Sequence, residues 1–325
     1  MSAARGAWLL AYAVVTFLSF PHPVAGRVLD LGLGVGWLGP PLLVLGVAGL
    51  SVRRAAGLGF AAGWLAHAAI LHWIYHVTVI YGHAPVFVGF LAPAALALYL
   101  ALFPAIFAAA FAALRLPPAV LPFAAAALWA VTDHLRAFLL SGFPWATLGY
   151  SQHLNFALLP VASFTGVYGL SFLTALGGVG ALEAVRHRGR RATWLAPALV
   201  VLAHVLGSLA PAPPDGPTIR TAVVQGNIDQ GVKWSPEWAD RTLAIYERLS
   251  RAAADDGAEL ILWPETAVPG SVNRNPETHA RLAALSRETG ATLVVGAVAV
   301  DDKPPEELRP GRGRYRFYDS AFVLE

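Results

Sequence analysis

The stretch ILWPETAVP (residues 261–269) places one carboxylate, Glu265, directly after a run of apolar residues that reads as a buried strand. Loops at the C-terminal ends of strands in α/β sheets open into a crevice, and a carboxylate delivered there can accept or donate a proton. A solvated turn residue beside Pro264 is the other reading, and the local sequence leaves both open. A second segment, VVQGNIDQGVKW (223–234), runs from an apolar strand through Gly226 and Asn227 to Trp234. That indole either meets lipid or substrate at a membrane surface or packs within its own domain. Asp133 and Arg136, three residues apart in WAVTDHLR (129–136), share a helical face. Isolated charges in apolar surroundings are costly, so the pair is expected to neutralise itself, with substrate contact as the alternative. His72 and His76 have the i, i+4 spacing of metal ligands, but no HExxH pattern or matching carboxylate accompanies them. Interfacial histidines among Trp73, Tyr75 and Tyr81 are the better account, and no metal site is expected. The run GLGVG (32–36) opens an apolar segment instead of joining a strand to a helix, so close helix packing is expected there and no cofactor. Cysteine is absent from the 325 residues, which excludes disulfides, thiolate metal sites and a thiol nucleophile within them.

The elements that must carry these residues divide into two kinds. Hydrophobic residues make up 56% of the chain, charged ones only 13%, and the mean hydropathy of +0.56 is that of a membrane protein. Positions 1–217 hold ten arginines, no lysine and four acids, whereas positions 218–325 hold thirteen basic and sixteen acidic residues. The basic excess of the first half lies in short clusters between apolar runs, where it reports membrane topology; nucleic acid is not an expected partner. Apolar runs occupy roughly 7–20, 33–50, 55–81, 86–114, 118–140, 156–183 and 192–210. A spanning helix needs about 17 to 25 residues, so seven crossings are expected. The interior prolines Pro93 and Pro104 and the Gly177–Gly178 pair are tolerated where neighbouring helices satisfy the freed backbone groups. For the first run a cleaved signal peptide is the alternative, given the small residues Ala25 and Gly26, but six further runs favour a retained helix. Alternate connections hold eight arginines on one side (Arg5, Arg53, Arg54, Arg115, Arg186, Arg188, Arg190 and Arg191) and only Arg27 and Arg136 on the other. The arginine-rich side is expected in the cytoplasm, which puts everything after about residue 211 outside.

The proline-rich segment PAPPDGP (211–217) ends the membrane half, so residues 1–211 form the helical domain and 212–217 a linker. In 218–325 the period changes. Strands are expected at 218–228, 259–267 and 291–300, and helices at 237–257 and at 276–289, the latter closed by Gly290. A charged loop at 301–314 leads to a fourth strand, RYRFYDSAFVLE. This βαβαβ order favours a sheet with helices packed on it, and the final strand leaves that sheet incomplete.

SGFPW with GYSQ (141–152), VQGNIDQGVKW (224–234), WPETA (263–267) and YDSAFVLE at the end together resemble the apolipoprotein N-acyltransferase family, membrane-bound relatives of the nitrilases. The likeness runs along nearly the whole chain, in matching order. It implies a multi-pass α-helical bundle of about seven helices followed by a partial α/β nitrilase-like (αββα) domain at 218–325. It also implies a bacterial inner-membrane location with that domain in the periplasm. The implied activity moves a fatty acyl chain from a phospholipid donor to the α-amino group of a diacylglyceryl-cysteine lipoprotein. The family works by a Glu, Lys and Cys triad, in which an activated thiolate splits one hard transfer into two easier ones. Glu265 matches the glutamate and Trp234 a loop tryptophan used near the substrate. The family's lysine follows the strand at which this sequence stops and its cysteine lies further on, since Lys233 and Lys303 both precede that strand. Asp133 stands where relatives usually carry Glu. The chain therefore reads as the N-terminal portion of such an enzyme, unable as written to catalyse acyl transfer.

Two other classes stand beside this one. A non-catalytic scaffold or lipid-binding pseudoenzyme would keep the bundle and half a sheet, at the risk of an exposed sheet edge. A transporter would need intramembrane ionisable residues facing a pore, and the apolar runs hold little beyond His67, His72, His204, Asp133 and Arg136.

Overall fold

Each of the seven apolar runs contains a helix in the computed structural model, which describes residues 2–211, 216–304, 307 and 313–325. The described residues fall into two compact units, Met1–Ala212 and Pro213–Glu325. Residues 212–215 of the expected linker at 212–217 lie outside the described residues.

In the first unit the helices are α1 (Ala3–Leu18), α2 (Gly32–Val47, its middle turn a 3₁₀ helix), α3 (Val52–Tyr81), α4 (Val86–Ala113), α5 (Leu121–Arg136), α6 (Leu159–Arg186) and α7 (Arg191–Ser208). Four of them, α3, α4, α6 and α7, are long and apolar enough to cross a membrane. The other three have 16 residues each. At 1.5 Å per residue that is about 24 Å, short of a hydrocarbon core of about 30 Å. The expected count of seven spans is thus not established by helix length. The fifth run, expected over 118–140, becomes helix only from Leu121 to Arg136. It stops because Leu140, Ser141 and Gly142 all take positive φ, and the Cα of Gly142 lies so near the Ala137 carbonyl that a Cβ would sit 1.9 Å from its oxygen. A hairpin of β1 (His22–Val24) and β2 (Arg27–Leu29), turning through Ala25 and Gly26 at φ 50° and 76°, was not legible in the hydropathy pattern.

Small residues let these helices meet closely. Ala55, Ala62 and Ala66 of α3 face Phe107, Ala108 and Phe111 of α4, and Leu9, Tyr12, Leu43 and Val47 from α1 and α2 close the same core. α4 stays continuous through Pro93 and Pro104, while its outward face carries exposed Phe87, Phe90, Leu91, Leu98, Leu102 and Ile106. An apolar face turned outward is the reverse of a water-soluble bundle and suits lipid as the solvent.

Asp133 and Arg136 do form the expected pair, 2.9 Å apart, with side chains only 8% and 4% exposed. The pair is the centre of a larger network. Asp133 Oδ2 accepts the Ser171 hydroxyl of α6 at 2.8 Å and the Leu148 N–H at 3.1 Å. Arg136 Nη2 also donates to the Ala146 carbonyl at 3.2 Å, and Nη1 lies 3.1 Å from His67 Nε2 on α3. The His67 Nδ1–H must donate to the Gly63 carbonyl 2.7 Å away, which leaves Nε2 free to accept from the arginine. Three helices and the 146–148 segment are therefore tied to one ion pair.

The second unit holds a five-stranded sheet built from β3 (Thr221–Val223), β4 (Leu260–Leu262), β5 (Val268–Ser271), β6 (Thr292–Asp302) and β7 (Tyr315–Leu324). β3, β4 and β6 run parallel in that order, and β7 lies antiparallel along the whole of β6. The helices are α8 (Ala239–Asp255) and α9 (Pro276–Thr289). α9 begins under an Asn275 cap that accepts from two backbone N–H groups and ends at Gly290 in the left-handed conformation, as its sequence signals imply. Alternate residues of β6, namely Leu293, Val295 and Ala297, are buried with Ile261 against Leu243 and Tyr246 of α8 and Leu282 and Leu285 of α9. Among the described residues of this unit α8 and α9 cover that one face of the sheet, and Val223, Phe317 and Val323 on the other are exposed.

Two strand boundaries differ from expectation. The strand expected over 218–228 keeps its ladder only at Thr221–Val223. Beyond it the chain turns away beneath Tyr246, whose ring leaves no room for a Cβ at Gly226. The strand expected over 259–267 keeps its ladder only at Leu260–Leu262 (β4), and a further strand, β5, begins just beyond it at Val268; both pair with β6. Half of the loop expected at 301–314, residues 305, 306 and 308–312, lies outside the described residues, although β6 extends to Asp302 and the Lys303 N–H reaches the Arg314 carbonyl at 2.9 Å.

Replacing Asp133 by alanine strands a buried guanidinium and is expected to cost about 3–5 kcal/mol, read as a lowered melting temperature in detergent. The double variant Asp133→Leu/Arg136→Met should lose markedly less. Equal losses would show that the stranded guanidinium is not the source of the destabilisation.

Candidate active site

The interruption between β4 and β5 is where Glu265 sits. The Trp263 N–H donates to the Val294 carbonyl at 2.9 Å and the Ala267 N–H to the Gly296 carbonyl at 2.8 Å. Between these two ladder bonds Pro264, Glu265 and Thr266 leave the sheet. Pro264 has no N–H to give, so the departure loses no donor at that position. Thr266 is at φ 47°, a left-handed conformation that a β-branched residue adopts only under constraint. The excursion crosses β6 directly over Gly296, where a Cβ would lie 2.3 Å from the Pro264 oxygen and 2.7 Å from the Glu265 Cα. Gly296 is therefore required for the loop to take this course.

Beneath the loop Trp263 is buried, its indole N–H donating to Ser250 Oγ at 2.8 Å and its ring stacked on Tyr246 at 4.8 Å between centroids. Burial of the Tyr246 phenol pushes its pKa up, which keeps it neutral beside the indole. This apolar anchor fixes the base of the loop and leaves Glu265 exposed at its tip.

The 229–234 turn reaches the same loop. Asp229 Oδ1 accepts the Gly231 N–H at 2.8 Å, and its carbonyl accepts the Lys233 N–H at 3.1 Å. The Lys233 ammonium donates to Thr266 Oγ1 at 2.8 Å and lies 3.4 Å from the Glu265 carbonyl oxygen. It also lies 5.8 Å from the centroid of the Trp234 ring, which is 52% exposed. Lys233, set aside in the sequence because it precedes the final strand, thus ties the turn that carries Trp234 to the loop that carries Glu265. The available signal was that only two lysines occur in the chain and one of them immediately precedes Trp234.

The other residues singled out by type belong to the first unit. His72 bonds the Ala69 carbonyl at 2.9 Å, and His76 meets the edge of Tyr81 at 5.4 Å between centroids. Among the described residues no group of three or more His, Asp or Glu side chains is placed to hold a metal. Gly32 and Gly36 of the GLGVG run abut Ser151, in keeping with close packing. What the second unit presents is a carboxylate on a rigidly anchored strand-end loop with a lysine locking the loop's backbone, an arrangement suited to proton transfer.

The model for the apolipoprotein N-acyltransferase N-terminal domain matches residues 12–180, and that for carbon-nitrogen hydrolases matches 220–325. The chain belongs to the apolipoprotein N-acyltransferase family. The apolipoprotein N-acyltransferase of Geobacter metallireducens is 36% identical over 322 residues, 96% of this chain and 59% of that protein. The enzyme of the same name from Pseudomonas syringae pv. tomato is 34% identical over 293 residues, 87% of this chain and 55% of its own length. That from Vibrio vulnificus is 32% identical over 272 residues, 81% of this chain and 52% of its own length. The chain therefore spans less than two thirds of each of these acyltransferases, and its second unit is the carbon-nitrogen-hydrolase part of the family architecture.

Gly296→Val is expected to displace the 264–266 loop and to cost about 1–3 kcal/mol of unfolding free energy, as overpacking does. Lys233→Gln should leave the melting temperature within a degree or two while raising hydrogen exchange at Thr266 and Ala267. Unchanged exchange in Lys233→Gln would show that the lysine does not hold the loop.

Proposed function

We propose that these residues form the membrane bundle and the first part of the catalytic domain of an enzyme that acylates lipoproteins at the expense of phospholipid. The single observation that carries this reading is the presentation of Glu265 at the break between β4 and β5, in a chain whose family is the apolipoprotein N-acyltransferases. Residues 1–211 would thread the membrane seven times from a cytoplasmic N-terminus, with the 16-residue helices completed by flanking residues. Residues 218–325 would then lie on the periplasmic face of the inner membrane, beside both lipid substrates.

In this scheme Glu265 is the general base. It takes the proton of a cysteine thiol; the thiolate attacks the ester carbonyl of the phospholipid, and the C–O bond breaks to release a lysophospholipid alkoxide that recovers the proton. The resulting thioester is then attacked by the α-amino group of a diacylglyceryl-cysteine, which forms the amide and returns the thiol. A lysine ammonium stabilises the oxyanion at each addition. Glu265 supplies the first of these groups, and the exposed Trp234, next in sequence to the Lys233 that braces the Glu265 loop, supplies apolar contact for an acyl chain. Lys233 is occupied with the backbone of the Glu265 loop and serves as its brace. No position in the 325 residues matches the family's cysteine.

The chain by itself is accordingly expected to form no hydroxylamine-labile acyl adduct and no triacylated product when incubated with acyl-labelled phospholipid and a diacylated lipopeptide. In a chimera that continues this chain with the remaining residues of the Geobacter metallireducens relative, Glu265→Gln should cut acyl transfer by at least about 100-fold, the usual contribution of a general base. Trp234→Ala should act mainly on KM. Turnover by the 325 residues alone, or full activity of the Glu265→Gln chimera, would refute the scheme.

A further inference from the structure

At the end of the bundle where α1 and α3 begin, two arginines stand without acidic partners. The acids of this unit are committed elsewhere among the described residues: Asp30 to His153, Asp133 to Arg136, and Glu183 to Arg186 and His187. Arg5 and Arg54 instead line a pocket of about 500 Å³ with Leu50, Gly57 and Leu58. Arg5 Nη1 is buried and has no hydrogen-bond partner among the described residues. A buried cationic donor left in this state calls for an anionic oxygen.

The surroundings specify what carries that oxygen. Leu58 also lines an adjoining apolar groove of about 170 Å³ that continues past Leu9, Leu10, Ala61 and Leu65. Along α3 the lining changes from Arg54 through Gly57 and Leu58 to Ala61 and Leu65, at helical spacing of three and four. Along α1 it changes from Arg5 to Leu9 and Leu10 in the same direction. From Arg54 to Leu65 the rise is about 16 Å at 1.5 Å per residue. A cationic pocket that opens into an apolar channel running toward the middle of the bundle has the polarity profile of one glycerophospholipid, head first. A free anion would leave the groove uncovered, and a neutral or zwitterionic lipid would leave the two charges unbalanced.

We propose that this cleft binds one anionic glycerophospholipid from the leaflet at the arginine-rich end, its phosphate on Arg5 and Arg54 and one acyl chain between α1 and α3. Basic pockets between membrane helices recognise anionic headgroups in this way. The site uses none of the residues assigned to acyl transfer and stands or falls independently of that reading.

The test is native mass spectrometry of the full chain in detergent, titrated with phosphatidylglycerol and, separately, with phosphatidylcholine. The wild-type chain should retain phosphatidylglycerol at least about tenfold more tightly. Arg5→Gln/Arg54→Gln should abolish that preference. Gly57→Phe keeps both charges but fills the pocket, and it is sterically tolerable because a Cβ at Gly57 meets no atom within 4 Å; it should lose phosphatidylglycerol as well. Arg53→Gln removes a neighbouring charge that does not line the pocket and should bind as wild type. Equal retention of the two lipids, wild-type binding by Gly57→Phe, a loss in Arg53→Gln equal to that of the double variant, or displacement by glycerol phosphate as effective as by intact lipid would each overturn the proposal.

Discussion

Hydrocarbon offers a polar group no partner, and the bundle is arranged around meeting that constraint internally. Its clearest expression is the Asp133–Arg136 pair. Neither charge could remain on a helix within apolar surroundings unless the other stood beside it, and each also draws in neutral groups, although the Arg136 Nε–H is left without a partner among the described residues. Ser171, His67 and the Leu148 N–H are held by this demand. The interaction thereby fixes the relation of α3, α5 and α6 and the course of the segment that joins the latter two. The small residues along α3 and α4 serve the same end, since helices that cannot gain by hiding from water gain by close contact.

In the second unit the constraint is different. A parallel ladder would run unbroken from Leu260 to Ser271 if every residue between had an N–H to give and a side chain that fitted the pleat. Pro264 breaks the first condition. Gly296 on the neighbouring strand then makes room for the chain to cross, and Trp263 beneath is pinned by Ser250 and Tyr246. A flexible loop is thus replaced by an excursion supported at both ends by ladder bonds, with a carboxylate at its tip. Precision of this kind is what proton transfer requires, because a misplaced base loses most of its effect.

Periodicity made the class of each unit readable. Long apolar runs, arginine clusters between them and the change of period after residue 217 came from residue type alone. The α9 helix was legible at both ends because Asn275 and Gly290 are local signals that do not depend on what packs nearby. Glu265 was legible as a candidate because it follows an apolar strand. The split of its strand was not, since the break depends on Gly296, thirty-one positions away, as much as on Pro264. The bracing role of Lys233 was not legible for the same reason: its partner Thr266 becomes a neighbour only in the folded sheet. The hairpin at residues 22–29 escaped notice because three-residue strands leave no periodicity. The spans resist counting from helix length, since three of the seven helices are only 16 residues long.

The proposed acylation chemistry depends most on the side of the membrane reached after α7. Alkaline phosphatase, which is active only outside the cytoplasm, and green fluorescent protein, which fluoresces only when folded inside it, can each be fused after Arg220. A second unit outside the cytoplasm predicts high phosphatase activity and a dark fluorescent fusion. A bright fluorescent fusion with an inactive phosphatase would put Glu265 on the cytoplasmic side and contradict it.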